Sequence, residues 1–166
     1  GWYAFQSCES LTSVYISDIA AWCNIPFGDS YSNPLCYADN LYLNNELVTD
    51  LTIPDSVTTI GNYAFYDCDC LTSVTIPDSV TTIGNYAFCD CDSLTSITIP
   101  NSVTTIGWGA FESCSSLTSV YISDISAWCN ISFSTTYSNP LYYAHNLYLN
   151  NYRLRIFYNR DMSFYP

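Results

Sequence analysis

The sequence predicts a β-rich solenoid, a fold in which short coils of similar sequence stack on one another. Residues 71–93 read LTSVTIPDSVTTIGNYAFCDCDS and residues 94–116 read LTSITIPNSVTTIGWGAFESCSS, so the chain repeats itself every 23 residues. Residues 48–70 are a third copy in the same register, and residues 1–10 match the second half of another. A fixed period of this length is the signature of a solenoid, in which each coil contacts only its neighbours.

A longer period lies over the short one, because residues 11–45 return as residues 117–151 with seven differences in 35 positions. The copies lie 106 positions apart, which equals one 37-residue unit and three 23-residue units. We interpret the 37-residue unit as an ordinary coil that carries a 14-residue insertion. The insertions lie at about residues 17–47 and 123–151.

Each 23-residue unit predicts two short strands and one helical turn. Val74 and Ile76 alternate with polar neighbours, and the pattern stops at Pro77, which is typical of a short strand that ends in a turn. The next extended piece, SVTTI, ends at Gly84, where the chain can turn sharply, and NYAFCDC then predicts a single helical turn. Stacked coils place equivalent residues about 4.8 Å apart, so they build ladders of Leu, Ile and Phe.

The repeated pattern LxxVxIPxSVxxIGxxAFxxC closely resembles the BspA-like, or Treponema-type, leucine-rich repeats of bacterial and protozoan surface proteins. The resemblance covers about residues 1–151. It implies a right-handed, curved solenoid with a parallel sheet on its concave face. Characterised members of this family act in adhesion to host matrix proteins and to other cells, which implies a cell-surface or secreted location. Because the repeats are scaffold, the resemblance does not identify a partner.

Residues 152–166, YRLRIFYNRDMSFYP, depart from the repeat and hold all three arginines and the only methionine. We predict that they form a non-repeat tail and that the solenoid ends at residue 151. Solenoids normally carry polar caps, and neither end of this repeat array has a recognisable one. Bare end coils expose apolar ladders and unpaired strands, so we expect the isolated chain to self-associate through its ends.

The charge of the chain excludes two classes of partner. Three basic residues against 15 acidic ones give a formal net charge of −12, and residues 1–152 contain no Lys or Arg. Affinity for nucleic acid and for anionic membrane surfaces rests largely on Lys and Arg, so we expect neither. Insertion into a bilayer requires roughly 18 uninterrupted apolar residues, and the sequence has no such stretch. A targeting signal, if one exists, is expected outside this chain.

The sequence offers little for catalysis, cofactors or metals. His145 is the only histidine and lysine is absent, so a Ser or Cys nucleophile would lack an ordinary activating base. A pair of carboxylates is the remaining catalytic option, and we predict no enzyme and no cofactor. The Cys-x-Cys spacings do not suit zinc, which prefers two to four residues between ligands. The turn aspartates could offer oxygen ligands to calcium but lack a fixed ligand pattern, so we predict no metal site. These aspartates are Asp67, Asp69, Asp90 and Asp92.

Cysteines recur at the repeat period, three residues after the Phe of each AF pair. We predict that this ladder, Cys8, Cys68, Cys91 and Cys114, consists of buried free thiols. Cys70 and Cys89 depart from the ladder, and we expect these two thiols to be exposed or paired.

The concave strands predict the first candidate binding surface. Their outward positions carry mostly hydroxyl side chains, with one Tyr beside each insertion. Tyr supplies a large contact area at a low entropy cost, and the concave face is the usual binding surface of a solenoid. Alternatively, Ser and Thr lie there simply as soluble strand formers. The candidate residues are Ser13, Tyr15, Asp50, Thr52, Ser73, Thr75, Ser96, Thr98, Ser119 and Tyr121.

The aromatic residues of the insertions predict a second candidate surface. Most of them are expected to pack the insertion onto its own coil, and the remainder could form an aromatic shelf for protein or sugar. The sequence around Asn44 and Asn45 also predicts a hairpin, because Asn tolerates the positive φ that such turns need. The candidate residues are Trp22, Tyr31, Tyr37, Trp128, Tyr137 and Tyr143.

These observations predict a non-catalytic binding or adhesion module that contacts an extracellular or host protein. The alternative is a structural role, in which solenoids assemble end to end or act as spacers. A third hypothesis is a carbohydrate-binding module that uses the insertion aromatics. The acidic surface favours faster association with a partner that has a basic patch, an advantage that salt reduces.

Overall fold

The computed structural model describes residues 1–154, and these residues form a stack of coils with three sheets. Two short α-helices lie in the longer units, α1 (Ile19–Cys23) and α2 (Ile125–Cys129). The same units contain 3-10 helices at Ser30–Ser32, Pro34–Cys36, Thr136–Ser138 and Pro140–Tyr142. The strands are β1 (Ser13–Ile16), β2 (Asn40–Leu43), β3 (Glu46–Leu47), β4 (Asp50–Thr52), β5 (Thr59–Ile60), β6 (Ser73–Thr75), β7 (Thr82–Ile83), β8 (Ser96–Thr98), β9 (Thr105–Ile106), β10 (Ser119–Ile122), β11 (Ser132–Phe133), β12 (Asn146–Leu149) and β13 (Tyr152–Leu154).

Equivalent residues of successive coils lie opposite one another in the sheets. The main sheet has the order β13-β12-β10-β8-β6-β4, and its strands are parallel except for β13. Val74 pairs with Leu51 on one side and with Ile97 on the other, so each apolar ladder follows the repeat. The short second strands of successive coils form a four-stranded sheet in the order β11-β9-β7-β5. The predicted β-rich solenoid with a parallel sheet and short second strands is confirmed.

The core lies between these two sheets and the turns that close each coil. Phe65, Phe88 and Phe111 are fully buried, and their rings stack with centroid distances of 5.3 Å and 5.6 Å. Cys91 and Cys114 are also buried, one coil apart. Each ladder continues the core from one coil to the next, so no single coil buries its apolar face alone.

The segment NYAFCDC does not form the helical turn that the sequence predicts. Tyr86 and Asp90 have φ values of 54° and 59°, outside the right-handed helical region. Their N–H groups donate to the carbonyl oxygens of Trp108 and Glu112 in the next coil, at 2.8 Å each. Hydrogen bonds between coils therefore replace most of those that a helical turn would make within one coil. One turn hydrogen bond remains within the coil, from the Cys89 N–H to the Tyr86 carbonyl oxygen at 3.4 Å.

Gly84 also has a different role from the sharp turn that the sequence suggests. Its φ is not positive, whereas a Cβ at this position would lie 2.7 Å from the backbone nitrogen of Asn62. The side-chain oxygen of Asn62 accepts a hydrogen bond from the Asn85 N–H at 2.8 Å, which joins the same two coils. The glycine is needed because neighbouring backbones approach closely here.

The extra residues of the 37-residue unit are not a single insert. Ser13 pairs with Asn40, which is 27 residues further along, so β2 takes the next strand position after four additional residues. The chain then turns at Asn44 and Asn45, whose φ values are 52° and 69°, and β3 returns antiparallel to β2. Asp50 begins the next repeat strand ten residues after Asn40, so the other ten additional residues belong to this hairpin. The predicted hairpin is confirmed.

The second 37-residue unit repeats this arrangement at the other end of the described chain. β10 pairs with β12, and β13 returns antiparallel to β12 after a turn at Asn150 and Asn151. Residues 152–154 of the predicted tail therefore occupy the position of β3. The remainder of that tail, residues 155–166, lies outside the described residues, so the prediction of a non-repeat tail stays a prediction.

Candidate functional site

Two pairs of stacked tyrosines lie on the solvent side of the parallel strands. Tyr15 of β1 is directly opposite Tyr42 of β2, and their ring centroids are 4.7 Å apart with an interplanar angle of 13°. Tyr121 of β10 and Tyr148 of β12 repeat this pair at 4.7 Å and 18°. Tyr15 is 64% exposed. In both pairs, the strand register sets the position of the rings.

Between the two tyrosine pairs, the strands β4, β6 and β8 present hydroxyl side chains. Thr52, Thr75 and Thr98 are exposed and aligned in adjacent strands. The Asp50 carboxylate accepts a hydrogen bond from the Ser73 hydroxyl, so part of this row is internally bonded. The serines Ser13, Ser73, Ser96 and Ser119 are half-buried. We call the solvent-facing side chains of β1, β4, β6, β8 and β10, with Tyr42 and Tyr148, the outer strand face.

A groove of about 860 Å³ lies along one part of the outer strand face, where β4, β6, β8 and β10 end. Thr52, Thr75, Thr98 and Tyr121 lie along it, and Asn150 and Asn151 lie at the hairpin end. The exposed aspartates Asp55 and Asp78 contribute negative charge. Its other lining residues are Ile53, Ile76, Pro77, Ser79, Ile99, Pro100, Ile122 and Ser123. The groove therefore combines hydroxyl, aromatic and apolar surface with an acidic margin.

The structure brings part of the predicted concave surface together and adds residues to it. Tyr121 and the three threonines share the groove, whereas Ser13 and Tyr15 lie in the separate sheet β1-β2-β3. Sequence reasoning missed Tyr42 and Tyr148 as members of this surface because it assigned them to the insertions. The signal was present in the alternation of NLYL, which resembles that of the neighbouring strand SVYI.

Trp22 does not belong to an exposed aromatic shelf, which corrects its assignment as a binding residue. Its side chain is only 6% exposed, and its Nε1–H donates to the carbonyl oxygen of Ala64 at 2.7 Å. The ring lies 5.3 Å from that of Phe27. Trp128 is half-buried and lies 5.4 Å from Phe133. Both tryptophans pack their unit onto the solenoid because the indole ring has the apolar area for it.

The tyrosines of the longer units form two further clusters away from the outer strand face. Tyr31 is exposed and lies 6.1 Å from Tyr3 and 6.4 Å from Tyr37. The Tyr37 hydroxyl accepts a hydrogen bond from the Ser7 N–H at 2.9 Å, so this ring is fixed to the first coil. In the second unit, Tyr137 and Tyr143 each lie 5.0 Å from Tyr142. The equivalents Tyr31 and Tyr137 are the exposed members of the predicted shelf.

The cysteines follow the predicted ladder only in part. Cys68, Cys91 and Cys114 are buried free thiols, whereas Cys8 is exposed because no coil covers it in the described chain. Cys89 is buried, which corrects the expectation of an exposed or paired thiol there. Burial raises the pKa of the Cys114 thiol to about 12, so this group stays protonated. Cys70 is half-buried, with its Sγ atom 3.7 Å from that of Cys68.

The turn aspartates lie close together in adjacent coils. Burial raises the pKa of the Asp67 carboxyl to about 6, and the neighbouring Asp69 and Asp90 add to the rise. The pKa of the Asp69 carboxyl is raised as well, again mainly by burial. Within residues 1–154, no three His, Cys, Asp or Glu side chains converge as metal ligands.

The family model for the BspA type leucine rich repeat region matches six copies across residues 38–161 of the chain. This chain belongs to the BspA-type leucine-rich repeat family. Leucine-rich repeat proteins of this kind are generally non-enzymatic scaffolds that serve as protein-binding modules, and the BspA type is typically found on the cell surface or secreted. None of the helices in residues 1–154 has the length and apolar character needed to cross a membrane.

Solved structures of bacterial leucine-rich repeat proteins resemble this BspA-type chain. A protein from Eubacterium ventriosum is 30% identical over 55% of this chain and 27% of its own, with a TM-score of 0.45. The Treponema pallidum leucine rich repeat protein is 26% identical over 80% of this chain and 60% of its own, with a TM-score of 0.47. A protein from Bacteroides ovatus is 23% identical over 92% and 41%, with a TM-score of 0.48. The chain thus spans between about a quarter and three fifths of these proteins. Among curated proteins, none matches significantly.

Proposed function

We propose that this chain is a binding module of a cell-surface or secreted adhesion protein and that it contacts an extracellular or host protein through its outer strand face. The observation that supports this proposal is a hydroxyl-lined groove that includes Tyr121, a member of one stacked tyrosine pair. Tyr15 and Tyr42 repeat the pair in the sheet β1-β2-β3. Among residues 1–154, those that line the groove include no basic side chain, and their recognition chemistry is aromatic, hydroxyl and acidic.

The tyrosine pairs suit protein recognition because they are held in place before a partner arrives. Tyr15 and Tyr42 stand on paired strands, and so do Tyr121 and Tyr148. Each ring restricts its neighbour, so binding orders little additional side-chain conformation. Tyrosine also offers an apolar ring and a hydroxyl in one side chain, and it is therefore frequent at interface hot spots.

Electrostatics favour a partner with a basic patch. The chain has a net charge of −12, and Asp50, Asp55 and Asp78 lie on or beside the outer strand face. Opposite charges accelerate diffusional encounter more than they strengthen the final complex. The association rate constant should therefore fall as salt increases, while the dissociation rate constant changes less.

Binding to a panel of purified extracellular matrix proteins tests the proposal. The chain is compared with a double variant of the outer strand face, Tyr15→Ala with Tyr121→Ala. The matched control is Tyr31→Ala with Tyr137→Ala, which removes two exposed tyrosines from the other clusters. We expect saturable binding to at least one panel member, and a loss of at least about tenfold in affinity for the first variant, which corresponds to about 1.4 kcal/mol.

The control variant should bind like the unmodified chain. Binding to no matrix protein would contradict the adhesion role, and unchanged affinity of the Tyr15 and Tyr121 variant would contradict the assigned surface. Loss of binding in the control alone, together with binding to a glycan array, would instead favour the carbohydrate hypothesis.

Self-association through the ends of the stack is a second candidate function. Trp2, in the first described coil, is 71% exposed, and Tyr152, in the edge strand β13, is 80% exposed. Light scattering after size exclusion, over a hundredfold range of concentration, separates the two candidates. A mass that grows with concentration would favour the structural role, whereas a constant single-chain mass would reject it.

A further inference from the structure

Two coils contain a Cys-x-Cys segment, and the segment with Cys68 and Cys70 brings its two thiols into contact. The Sγ atoms of Cys68 and Cys70 lie 3.7 Å apart, which is the contact of a thiol with its hydrogen-bond acceptor. The equivalents of Cys70 in the next two coils are Ser93 and Ser116. The repeat pattern therefore requires a small polar residue at this position but does not require sulfur.

The surroundings of the pair distinguish the two sulfur atoms. Cys68 is fully buried, whereas Cys70 is half-buried, so part of its surface faces solvent. The Leu41 N–H of β2 donates to the Cys70 Sγ at 3.4 Å. Either sulfur of the Cys68–Cys70 contact could be the donor. With Cys68 as the donor, the Cys70 sulfur accepts from a thiol and from a backbone amide, and both interactions stabilise a thiolate.

These contacts change the acidity of the two thiols in opposite directions. The hydrogen bond from Cys68 lowers the pKa of the Cys70 thiol to about 6, and the Leu41 amide contributes in the same direction. The pKa of the Cys68 thiol is raised, first by that same hydrogen bond and then by burial. A thiolate is the nucleophile in cysteine chemistry. Cys70 is therefore the thiol that reacts first, and Cys68 is the thiol that reacts second.

Other buried thiols of the chain are arranged differently. Cys91 and Cys114 lie 3.1 Å and 3.0 Å from the carbonyl oxygens of Phe65 and Phe88, to which they donate. Cys89 lies 3.4 Å from the Asp90 carboxylate, and burial raises the pKa of its thiol. These sulfur atoms act as donors, which favours the unreactive protonated form.

We propose that Cys68 and Cys70 form a thiol–disulfide exchange site that reacts with low-molecular-weight disulfides. The Cys70 thiolate attacks one sulfur of the small disulfide, forms a mixed disulfide and releases one small thiolate. The Cys68 thiol then loses its proton to that thiolate or to water, and its sulfur attacks Cys70 and expels the second small thiolate. Two protein thiols are oxidised to one disulfide, and one small disulfide is reduced to two thiols.

Oxidation of this pair alters the contact between the coil and the β2–β3 hairpin. The Leu41 N–H donates to a thiolate in the reduced chain and faces a neutral disulfide sulfur in the oxidised chain, which is a weaker acceptor. Leu41 is itself fully buried, and β2 carries Tyr42 of the first tyrosine pair. The exchange site therefore lies under one part of the outer strand face.

The proposal is tested with oxidised glutathione in a background that lacks the two exposed cysteines, Cys8→Ser with Cys129→Ser. The folded, reduced chain is incubated with oxidised glutathione, remaining thiols are alkylated, and peptides are mapped by mass spectrometry. We expect a disulfide between Cys68 and Cys70 to form at least about tenfold faster than glutathione adducts at Cys36 or Cys89, because a thiolate reacts faster than a thiol.

Two variants separate the steps of this reaction. Cys68→Ala removes the second sulfur, so a glutathione adduct should accumulate on Cys70. Cys70→Ser introduces the residue of the neighbouring coils and should fold normally by circular dichroism, but residue 68 should stay unmodified. An unmodified Cys70 in the parent chain, or an adduct on Cys70 that Cys68 does not displace, would overturn the proposal.

Discussion

Phe88 is the residue on which the stack depends most, because it joins two coils at once. Its ring is fully buried and lies 5.3 Å from Phe65 and 5.6 Å from Phe111. Removing it leaves a cavity that the neighbouring coils cannot fill without shifting. We expect Phe88→Ala to lower the free energy of unfolding by about 3–5 kcal/mol, measured by urea unfolding.

Trp108→Ala is the control for this substitution, since it removes a larger aromatic ring that is 54% exposed. We expect a change below about 0.5 kcal/mol for that variant. Equal losses in the two variants would show that the phenylalanine ladder does not hold the coils together.

Asp67 is half-buried, and its charge opposes folding at neutral pH. Burial raises the pKa of its carboxyl from the ordinary value of 3.8 to about 6, so the folded chain retains a proton that the unfolded chain has already lost. The contribution of Asp67 to stability is therefore highest below about pH 4 and falls as the pH rises to about 6. A shift of this size corresponds to about 3 kcal/mol, and screening of the half-exposed side chain reduces the expected effect to about 1 kcal/mol.

Asp67→Asn should stabilise the chain by about 1 kcal/mol at pH 7 and leave it unchanged near pH 3.5. Asn suits the position because φ is 58° there. Urea unfolding at both pH values measures the difference, with Asp55→Asn as an exposed control. A variant that is less stable at pH 7 would contradict this account of the acidic turn.

At the residue scale, the sequence predicted which residues stack in ladders better than it predicted which side chains are exposed. The equivalent positions of Phe65, Phe88 and Phe111 follow directly from the 23-residue period. The sequence could not show that Trp22 is buried and Tyr31 is exposed, because both lie in a segment that the adjacent coils do not repeat. Whether an aromatic ring there is buried depends on a contact with a distant coil, such as the hydrogen bond from Trp22 to Ala64.

At the scale of the element, Gly84 sets how closely two coils approach. A Cβ at this position would lie 2.7 Å from the Asn62 backbone nitrogen, so Gly84→Ala forces the coils apart or distorts the chain. We expect the variant to lose about 1–3 kcal/mol of stability by urea unfolding.

Gly28→Ala provides the matched control, because its Cβ would meet side-chain atoms of Trp2 at 3.2 Å and not backbone. The Trp2 ring is exposed and can move, so this variant should lose less stability than Gly84→Ala. A larger loss at Gly28 would mean that close approach of the coils does not require Gly84.

The sequence predicted the strands and the hairpin more accurately than the turns. Strand alternation and the Asn pair are local signals, and β6, β8 and the turn at Asn44 and Asn45 follow from them. The helical turn was wrong because Tyr86 and Asp90 direct their N–H groups to the next coil. Hydrogen bonds between coils outweigh the preference of these residues for a helical turn. The sequence of one coil does not show which groups of the next coil accept those hydrogen bonds.

At the scale of the whole molecule, the 106-residue period places one tyrosine pair in each long unit. The three coils between the long units supply threonines and the acidic margin of the groove. This arrangement supports a binding surface made of several coils and explains why no compact cluster of polar residues marks it in the sequence.

Hydroxyl-radical footprinting of the chain, free and saturated with a matrix protein identified in the binding panel, tests the central claim most directly. Oxidation of individual tyrosines is measured by mass spectrometry, so each side chain reports its own exposure. We expect oxidation of Tyr15 and Tyr121 to fall several-fold in the complex while Tyr31 and Tyr137 keep the rates of the free chain. Protection of Tyr31 and Tyr137, with Tyr15 and Tyr121 unchanged, would contradict the assignment of the outer strand face as the binding surface.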